Sequence, residues 1–250
     1  MLTEINLWIM LGMLVILLAG FVQGVTSFGF ALVSLPLLSQ ILPVRQTVPV
    51  IVVLSLLTNV SILAACFKHL AVRKVLLLIL TGMVAAPFGT YLLLYISETW
   101  LKIIAGALIL LFAAIMLLGR SFPVRSEKLG FVMAGLASGL LNGSISVSGP
   151  PVALFLSNQG TDKQTFRANL TFYALVLNIV TILSFSYNGL LDKTVVSALV
   201  WTTPAMIVGV SAGIWAGSRM NEHFFRKTVL VLIIISGLWT ILTGIGLSVG

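Results

Sequence analysis

Two short polar segments interrupt long apolar runs in this chain of 250 residues, and they hold the side chains best suited to binding a ligand. The residues concerned are Thr26, Ser27, Gly29, Asn142, Gly143, Ser144, Ser146, Ser148 and Gly149. Hydroxyl, amide and backbone N–H groups donate hydrogen bonds, and glycine lets a ligand approach the backbone, so both segments suit an oxyanion. Small residues also allow helices to pack closely, which is the alternative interpretation.

Two asparagines, Asn59 and Asn178, each interrupt an otherwise apolar segment. An amide in hydrocarbon is costly unless it is hydrogen-bonded, so both side chains are expected to face the protein interior. They would either contact a ligand or hydrogen-bond an unwound carbonyl of a neighbouring helix. Both residues therefore join the candidate binding site.

The composition defines the environment of these residues. Hydrophobic residues make up 59% of the chain and charged residues 8%, and the mean hydropathy is +1.17, whereas ordinary globular chains carry about 25% charged residues. Such a surface is stable where lipid replaces water, which excludes soluble enzymes, coiled coils and disordered chains. The net charge of +8 comes from Lys and Arg clustered between apolar runs, so it indicates membrane topology and no nucleic-acid partner.

The longest apolar runs must double back. The run from Ile5 to Val44 has 40 residues, which as one helix would reach about 60 Å, twice the roughly 30 Å of a bilayer core. We predict that it breaks at residues 26–29 and returns as a half-helix ending near Ile41. The run from Leu129 to Thr161 repeats this arrangement, with a break at residues 142–144 and a returning piece that ends near Asn158.

The predicted fold class is therefore an all-α polytopic membrane protein with eight full spans and two half-helices. The full spans are Ile5–Val25, Val48–Phe67, Val75–Ile96, Leu101–Gly119, the run from Leu129 to the second break, Ala168–Tyr187, Thr194–Ala216 and Val229–Leu247.

The two halves of the chain are also related in sequence. Residues recur in the same order, with Gly20, Gly24 and Pro36 repeated 115 residues later as Gly135, Gly139 and Pro151, Asn59 as Asn178, and Gly89 as Gly209. This order indicates a duplication. We predict a first repeat over residues 1–119, a cytoplasmic linker over 120–128 and a second repeat over 129–250.

Charge placement predicts how the repeats are oriented. If both long runs return, one side of the membrane holds eleven Lys and Arg residues, Arg167 among them, and the other holds Arg45, Lys102 and Lys193. The positive-inside rule makes the first side cytoplasmic, which places both termini outside and inverts the second repeat. Inverted repeats with broken helices are typical of secondary transporters.

Catalytic chemistry is not indicated. No Asp, Glu, Lys, Arg or His lies in the predicted hydrocarbon stretches, and no nucleotide-binding loop, metal-ligand cluster or catalytic set is visible. We therefore expect no enzyme activity, no cofactor and no ATP-driven pumping by this chain alone. A membrane enzyme or scaffold would need titratable residues within the spans or large soluble loops.

The segment from Gly24 to Leu37 in the first half, and the segment from Gly139 to Pro151 in the second, resemble the sulfite/organosulfonate exporter family, TauE/SafE. Length and duplicated hydropathy extend the resemblance over nearly the whole chain. It implies a secondary transporter that exports a small sulfur oxyanion or organosulfonate across the cytoplasmic membrane of a bacterium. The partners it implies are a small anionic substrate and the lipid bilayer, with a homodimer as a candidate assembly.

An uptake permease of similar fold, for thiosulfate or sulfite, is the alternative. Uptake that relays a sulfur substrate over cysteines needs several thiols within the membrane. The chain has a single cysteine, Cys66, which disfavours that version.

Overall fold

A computed structural model describes residues 2–118, 127–157, 159, 162–217, 219, 234–235, 237–238, 240–242 and 245. All regular elements in these residues are helical. The α-helices are α1 (Leu2–Thr26), α2 (Phe30–Leu38), α3 (Val44–Cys66), α4 (Val72–Tyr95), α5 (Glu98–Leu118), α6 (Glu127–Ile145), α7 (Gly149–Ser157), α8 (Lys163–Tyr187) and α9 (Lys193–Gly217).

Seven helices within the described ranges are long and apolar enough to cross a membrane, namely α1, α3, α4, α5, α6, α8 and α9. The chain is thus an all-helical, polytopic membrane protein. Helices α2 and α7 have nine residues each, about 14 Å, which is too short for a bilayer core of roughly 30 Å. The eighth predicted span, at 229–247, lies mostly outside the described residues, as do Asn158 and most of the linker predicted at 120–128.

The two short helices each lie beside the long helix that precedes them. A Cβ atom at Gly12 of α1 would contact Leu38, the last residue of α2, at 3.9 Å. In the second half, Gln159, just after α7, donates a hydrogen bond of 3.1 Å to Glu127, the first residue of α6. Each short helix therefore runs back along its long helix as the second arm of a hairpin.

The first predicted break is where the sequence indicates. Helix α1 ends at Thr26 and α2 begins at Phe30. The turn between them contains two residues in the left-handed region, Ser27 with φ 67° and Gly29 with φ 102°. Glycine adopts this conformation without cost, whereas serine adopts it only when the surroundings hold it there.

The second predicted break is wrong by about one turn. Helix α6 continues through Asn142, Gly143 and Ser144 to Ile145, and the turn follows at residues 146–148. A Cβ at Gly143 would overlap the carbonyl oxygen of Ala86 in α4. This glycine permits close helix packing instead of a turn, and Ser146, with φ 63°, provides the left-handed residue.

Glycine contacts join the first helix of each half to the fourth helix of the other half. Along α1 and α9, Leu17 meets Gly209 and Val25 meets Gly217. Along α6 and α4, Gly135 meets Leu78 and Gly143 meets Ala86. Residue numbers increase together in both pairs, so the helices of each pair are parallel. Helices α3 and α8 contact each other between these pairs.

Hydrogen bonds show which helix ends lie together. At one end of the bundle, which we call the Arg45 end, Arg45 reaches the carbonyl of Leu94 at 2.7 Å and Gln46 reaches Asp192 at 3.3 Å. The starts of α3 and α9 and the end of α4 therefore meet there.

At the opposite end, which we call the Glu127 end, the backbone N–H of Ala71 donates to Asn169 at 2.9 Å. Gln159 donates to Glu127 at the same end. The starts of α4, α6 and α8 therefore lie together at the Glu127 end.

Two structural features recur 119 residues apart, the spacing of Asn59 and Asn178 in the sequence. Gln23 donates to Asn59 at 2.8 Å, and Asn142 donates to Asn178 at 3.1 Å. The left-handed serines, Ser27 and Ser146, have the same spacing. The glycines of α6 recur every four residues, at 135, 139 and 143, so an offset of 115 and an offset of 119 both align glycine with glycine.

Candidate functional site

A small, partly open cavity of about 30 Å³ lies where the two helix breaks meet. Its volume exceeds the roughly 10–15 Å³ that a water molecule requires, so it can hold water or a small polar group. The walls contain both breaks, and a Cβ at Gly149 would lie 2.8 Å from the Cβ of Phe28. Ser55 and Ala174 also line it, and they lie near the middle of α3 and α8. The cavity is therefore halfway along the two central helices.

Two helix N-termini lie at the wall of this cavity, although α7 offers fewer backbone N–H groups because Pro150 and Pro151 have none. Helix α2 begins at Phe30 and α7 at Gly149, and both residues line the cavity. The first N–H groups of a helix have no intrahelical acceptor and form the positive end of its dipole. The N-cap residue of α2, Gly29, has no side chain that could accept from them. Both short helices therefore favour a negatively charged occupant.

The two serines of the breaks are held in a costly backbone conformation. Ser27 is 1% exposed and Ser146 is 6% exposed. Their N–H groups donate to the carbonyls of Gln23 at 2.7 Å and Asn142 at 3.0 Å, at the ends of α1 and α6. Non-glycine residues in this region cost about 1–3 kcal/mol and occur preferentially at functional sites.

Arg167 is the principal correction to the sequence-based site. Hydropathy placed it among the cytoplasmic charges and indicated no cation within the hydrocarbon stretches. In the structure it is 9% exposed. Its Nε donates to the hydroxyl of Ser27 and its Nη2 to the carbonyl of Gly24, both at 2.9 Å. A buried cation therefore contacts the first break.

The position of Arg167 follows from where α8 begins. Asp162 accepts hydrogen bonds from the N–H groups of Gln164 and Thr165, which makes it the N-cap of α8. The apolar run begins only at Ala168, one turn later. Arg167 therefore lies inside the helix, on the same face as Leu170 and Ala174 of the cavity wall. The aspartate that precedes the run was the signal that could have placed it.

Asp162 lies outside the membrane-spanning segment, at the aqueous end of α8. Hydrogen bonding from Thr165 is the main cause that holds the pKa of this carboxyl below its usual range. The negatively charged form therefore persists at the positive end of the α8 dipole over the physiological range of pH.

Arg167 gives the region a persistent positive charge. An arginine guanidinium does not deprotonate in proteins. The acceptors on Ser27 and Gly24 are neutral, so these hydrogen bonds solvate the cation without cancelling its charge. Together with two helix N-termini, the guanidinium makes the cavity region suitable for a small anion.

The asparagines identified in the sequence form buried contacts between helices. Asn59 accepts from Gln23, which joins α3 to α1. Asn142 donates to Asn178 at 3.1 Å and to Thr181 at 2.9 Å, which joins α6 to α8. Of these amides, only Gln23 lines the cavity. The sequence analysis did not select it.

The family model for the sulfite exporter TauE/SafE matches residues 12–240. The chain belongs to the TauE/SafE family. It is therefore a membrane transporter and not an enzyme. A curated relative from Cupriavidus necator, named as a probable sulfite/organosulfonate exporter TauE, is 26% identical over 212 residues, which cover 82% of each chain. No solved structure matches the chain.

In this TauE/SafE protein, the cavity wall contains some of the residues selected from the sequence and not others. Those on the wall are Ser27, Gly29, Ser146, Ser148 and Gly149. Those away from it are Thr26, Asn59, Asn142, Gly143, Ser144 and Asn178.

Three of the residues away from the wall have local structural roles. Thr26 donates its hydroxyl to the carbonyl of Val22 at 2.8 Å and accepts from the N–H of Phe28 at 3.3 Å, so it caps the first break. Ser144 donates to the carbonyl of Leu140 at 2.7 Å within α6. Gly143 packs against α4.

Proposed function

We propose that this protein exports a small sulfur oxyanion or organosulfonate, and that the anion binds in the cavity between the two helix breaks. The observation that carries the proposal is that two helix N-termini meet at one cavity, and that Ser27 of the cavity wall accepts a hydrogen bond from the buried guanidinium of Arg167. Such an arrangement stabilises a desolvated anion. The name of the Cupriavidus necator relative supports the substrate class and the direction.

The proposal includes two inverted repeats, over residues 1–119 and 129–250. Helix α1 is parallel to α9, which starts at the Arg45 end, whereas α6 starts at the Glu127 end. The first helices of the two halves therefore run in opposite directions. The matching amide pairs and left-handed serines support the same relation. In inverted-repeat transporters, substrate sites lie where broken helices meet near the middle of the membrane.

We further propose that the Glu127 end faces the cytoplasm of a bacterium and that both chain termini lie outside. Lys68, Arg73 and Lys163 belong to the Glu127 end, and Arg45 and Lys193 to the opposite end. An excess of basic residues marks the cytoplasmic side. Arg167 lies seven residues before Ala174, about 10 Å along α8 towards this end. An anion arriving from the cytoplasm would pass the guanidinium on its way to the cavity.

The test is flux of labelled sulfite from vesicles that contain the purified protein. Arg167→Gln retains hydrogen-bond donors and removes the charge, so efflux should fall at least about tenfold, the effect of roughly 1.4 kcal/mol. Ser61→Leu is the control, since Ser61 is exposed on α3 and bonds only within that helix. Its efflux should equal that of the wild type.

Each variant must insert into the membrane and purify like the wild type, which its yield and its thermal unfolding check. Wild-type efflux in Arg167→Gln would contradict the proposed site. Equal losses in Arg167→Gln and Ser61→Leu would show that the loss reflects folding and would also remove the support for the site.

A further inference from the structure

The amide pair between Gln23 and Asn59 has polar atoms without a partner. Gln23 is 3% exposed and Asn59 is fully buried. In the observed orientation the Nε2 of Gln23 donates to the Oδ1 of Asn59. The Oε1 of Gln23 has no hydrogen-bond partner within the part of the chain that the structure describes. A buried acceptor without a donor is unfavourable, and it indicates that a ligand or water completes it.

The two halves differ at this position. Asn142, the equivalent of Gln23, is one methylene shorter, donates to both Asn178 and Thr181, and does not line the cavity. Gln23 does line it. The longer side chain thus reaches the cavity wall, and it carries a buried acceptor that has no donor among the described residues.

We propose that the Oε1 of Gln23 accepts a hydrogen bond from the transported anion, so that the site selects a monoanion carrying an O–H or N–H donor. This inference rests on the proposed function. Hydrogen sulfite and hydroxyalkyl sulfonates have this chemistry, whereas the sulfite dianion and simple alkyl sulfonates lack the donor. A carbonyl oxygen repels an anion that offers no proton, and an amide oxygen can act only as an acceptor.

A pair of sulfonates that differ by one hydroxyl tests the inference. Ethanesulfonate and 2-hydroxyethanesulfonate both stay ionised, and efflux of each labelled compound is measured from vesicles at the same membrane potential. In wild-type protein the hydroxylated compound should leave about tenfold faster or more, because a site built to pair a hydroxyl rejects the analogue without it.

Two substitutions at Gln23 should abolish this preference. Gln23→Met retains the length and removes the acceptor. Gln23→Asn introduces the side chain that the second half has at Asn142, where it hydrogen-bonds Asn178. We expect this variant to keep its asparagine partner and to fold. In both, the ratio of 2-hydroxyethanesulfonate efflux to ethanesulfonate efflux should fall about tenfold, to near one.

Asn142→Leu is the matched control, because it breaks the equivalent buried pair away from the cavity wall. It should change the two rates by the same factor. Equal rates in wild-type protein, or a preference that survives in both Gln23 variants, would overturn the inference. If Arg167→Gln blocks efflux while the Gln23 variants keep the preference, only this inference fails. If Arg167→Gln also transports normally, the proposed function fails with it.

Discussion

Ser27 combines a left-handed backbone, a fully buried hydroxyl and a hydrogen bond from Arg167. Its counterpart Ser146 shares the backbone conformation. Arg167 contacts the first break through Ser27 and Gly24. The two breaks thus share a left-handed serine, and at Ser27 this backbone conformation coincides with a buried cation.

Two substitutions of Ser27 separate the effect of its left-handed backbone strain from the effect of its hydrogen bond with Arg167. Ser27→Gly and Ser27→Ala both remove the acceptor of Arg167, so sulfite efflux should fall in both. Glycine relieves the left-handed strain and alanine retains it, so Ser27→Gly should be more stable than Ser27→Ala by about 1 kcal/mol. Efflux assays and thermal unfolding check the two effects. Equal stability of the variants, or unchanged efflux in both, would contradict this account.

At the scale of elements, glycines determine how closely the parallel helix pairs approach. A Cβ at Gly24 would lie 2.6 Å from the carbonyl oxygen of Val210 and 2.8 Å from the backbone nitrogen of Ile214. These are backbone atoms, which cannot move aside as a flexible side chain can. The contact between α1 and α9 therefore depends on the absence of a side chain at Gly24.

Gly24→Ala should destabilise the protein by about 1–3 kcal/mol, because it forces α1 and α9 apart. Gly12→Ala on the same helix is the control. Its nearest neighbour would be a leucine side-chain atom at 3.9 Å, and alanine favours the helix. Thermal unfolding in detergent measures both. A Gly24→Ala midpoint equal to that of Gly12→Ala would contradict the close contact.

The same glycines explain which elements could be predicted from the sequence. Long apolar runs predicted the spanning helices, and the first break was predicted because Ser27 and Gly29 interrupt the run where α1 ends. The second break was misplaced because Asn142 and Gly143 have the composition of a turn. Only the opposing surface of α4 shows that this glycine serves packing, and that surface is distant in sequence.

The candidate site was predictable in its backbone and not in its side chains. Small polar residues near the breaks identified Ser27, Gly29 and the Ser146–Gly149 segment. Arg167 and Gln23 were missed because hydropathy averages over a window, whereas their roles depend on single contacts. The guanidinium reaches across 140 residues of sequence to Ser27, which no local pattern encodes.

In the part of the chain that the structure describes, eight of the nine α-helices form a central pair, α3 and α8, and two groups around it, while α5 contacts members of both groups. One group is α1, α2 and α9, and the other is α4, α6 and α7. The cavity lies where the hairpins of the two groups meet. Movement of one group against the other would open the cavity to either side, as expected for alternating access.

Labelling of single thiols tests the orientation of the second hairpin. Cys66 is buried, so a Cys66→Ala background is suitable. Lys128→Cys and Lys163→Cys flank the hairpin of α6 and α7 and should be protected from an impermeant reagent until the membrane is opened. Lys193→Cys should react in intact cells. If positions 128 and 163 react from opposite sides, the α6–α7 segment crosses the membrane and the inverted repeat is contradicted.

The driving force follows from the charges of the whole molecule. The cavity wall, as the structure describes it, contains no aspartate, glutamate or histidine, and Arg167 stays protonated, so the substrate itself should carry the charge. An inside-negative potential drives a monoanion outward with about 2.3 kcal/mol per 100 mV, a concentration ratio of roughly fiftyfold.

In vesicles with a potassium-set potential and equal pH, efflux of 2-hydroxyethanesulfonate should rise as the interior becomes more negative, and empty vesicles should show none. A pH gradient at zero potential should have little effect, because this sulfonate stays ionised. Efflux that follows the pH gradient and ignores the potential would require a proton carrier elsewhere in the bundle and would contradict transport driven by the anion's own charge.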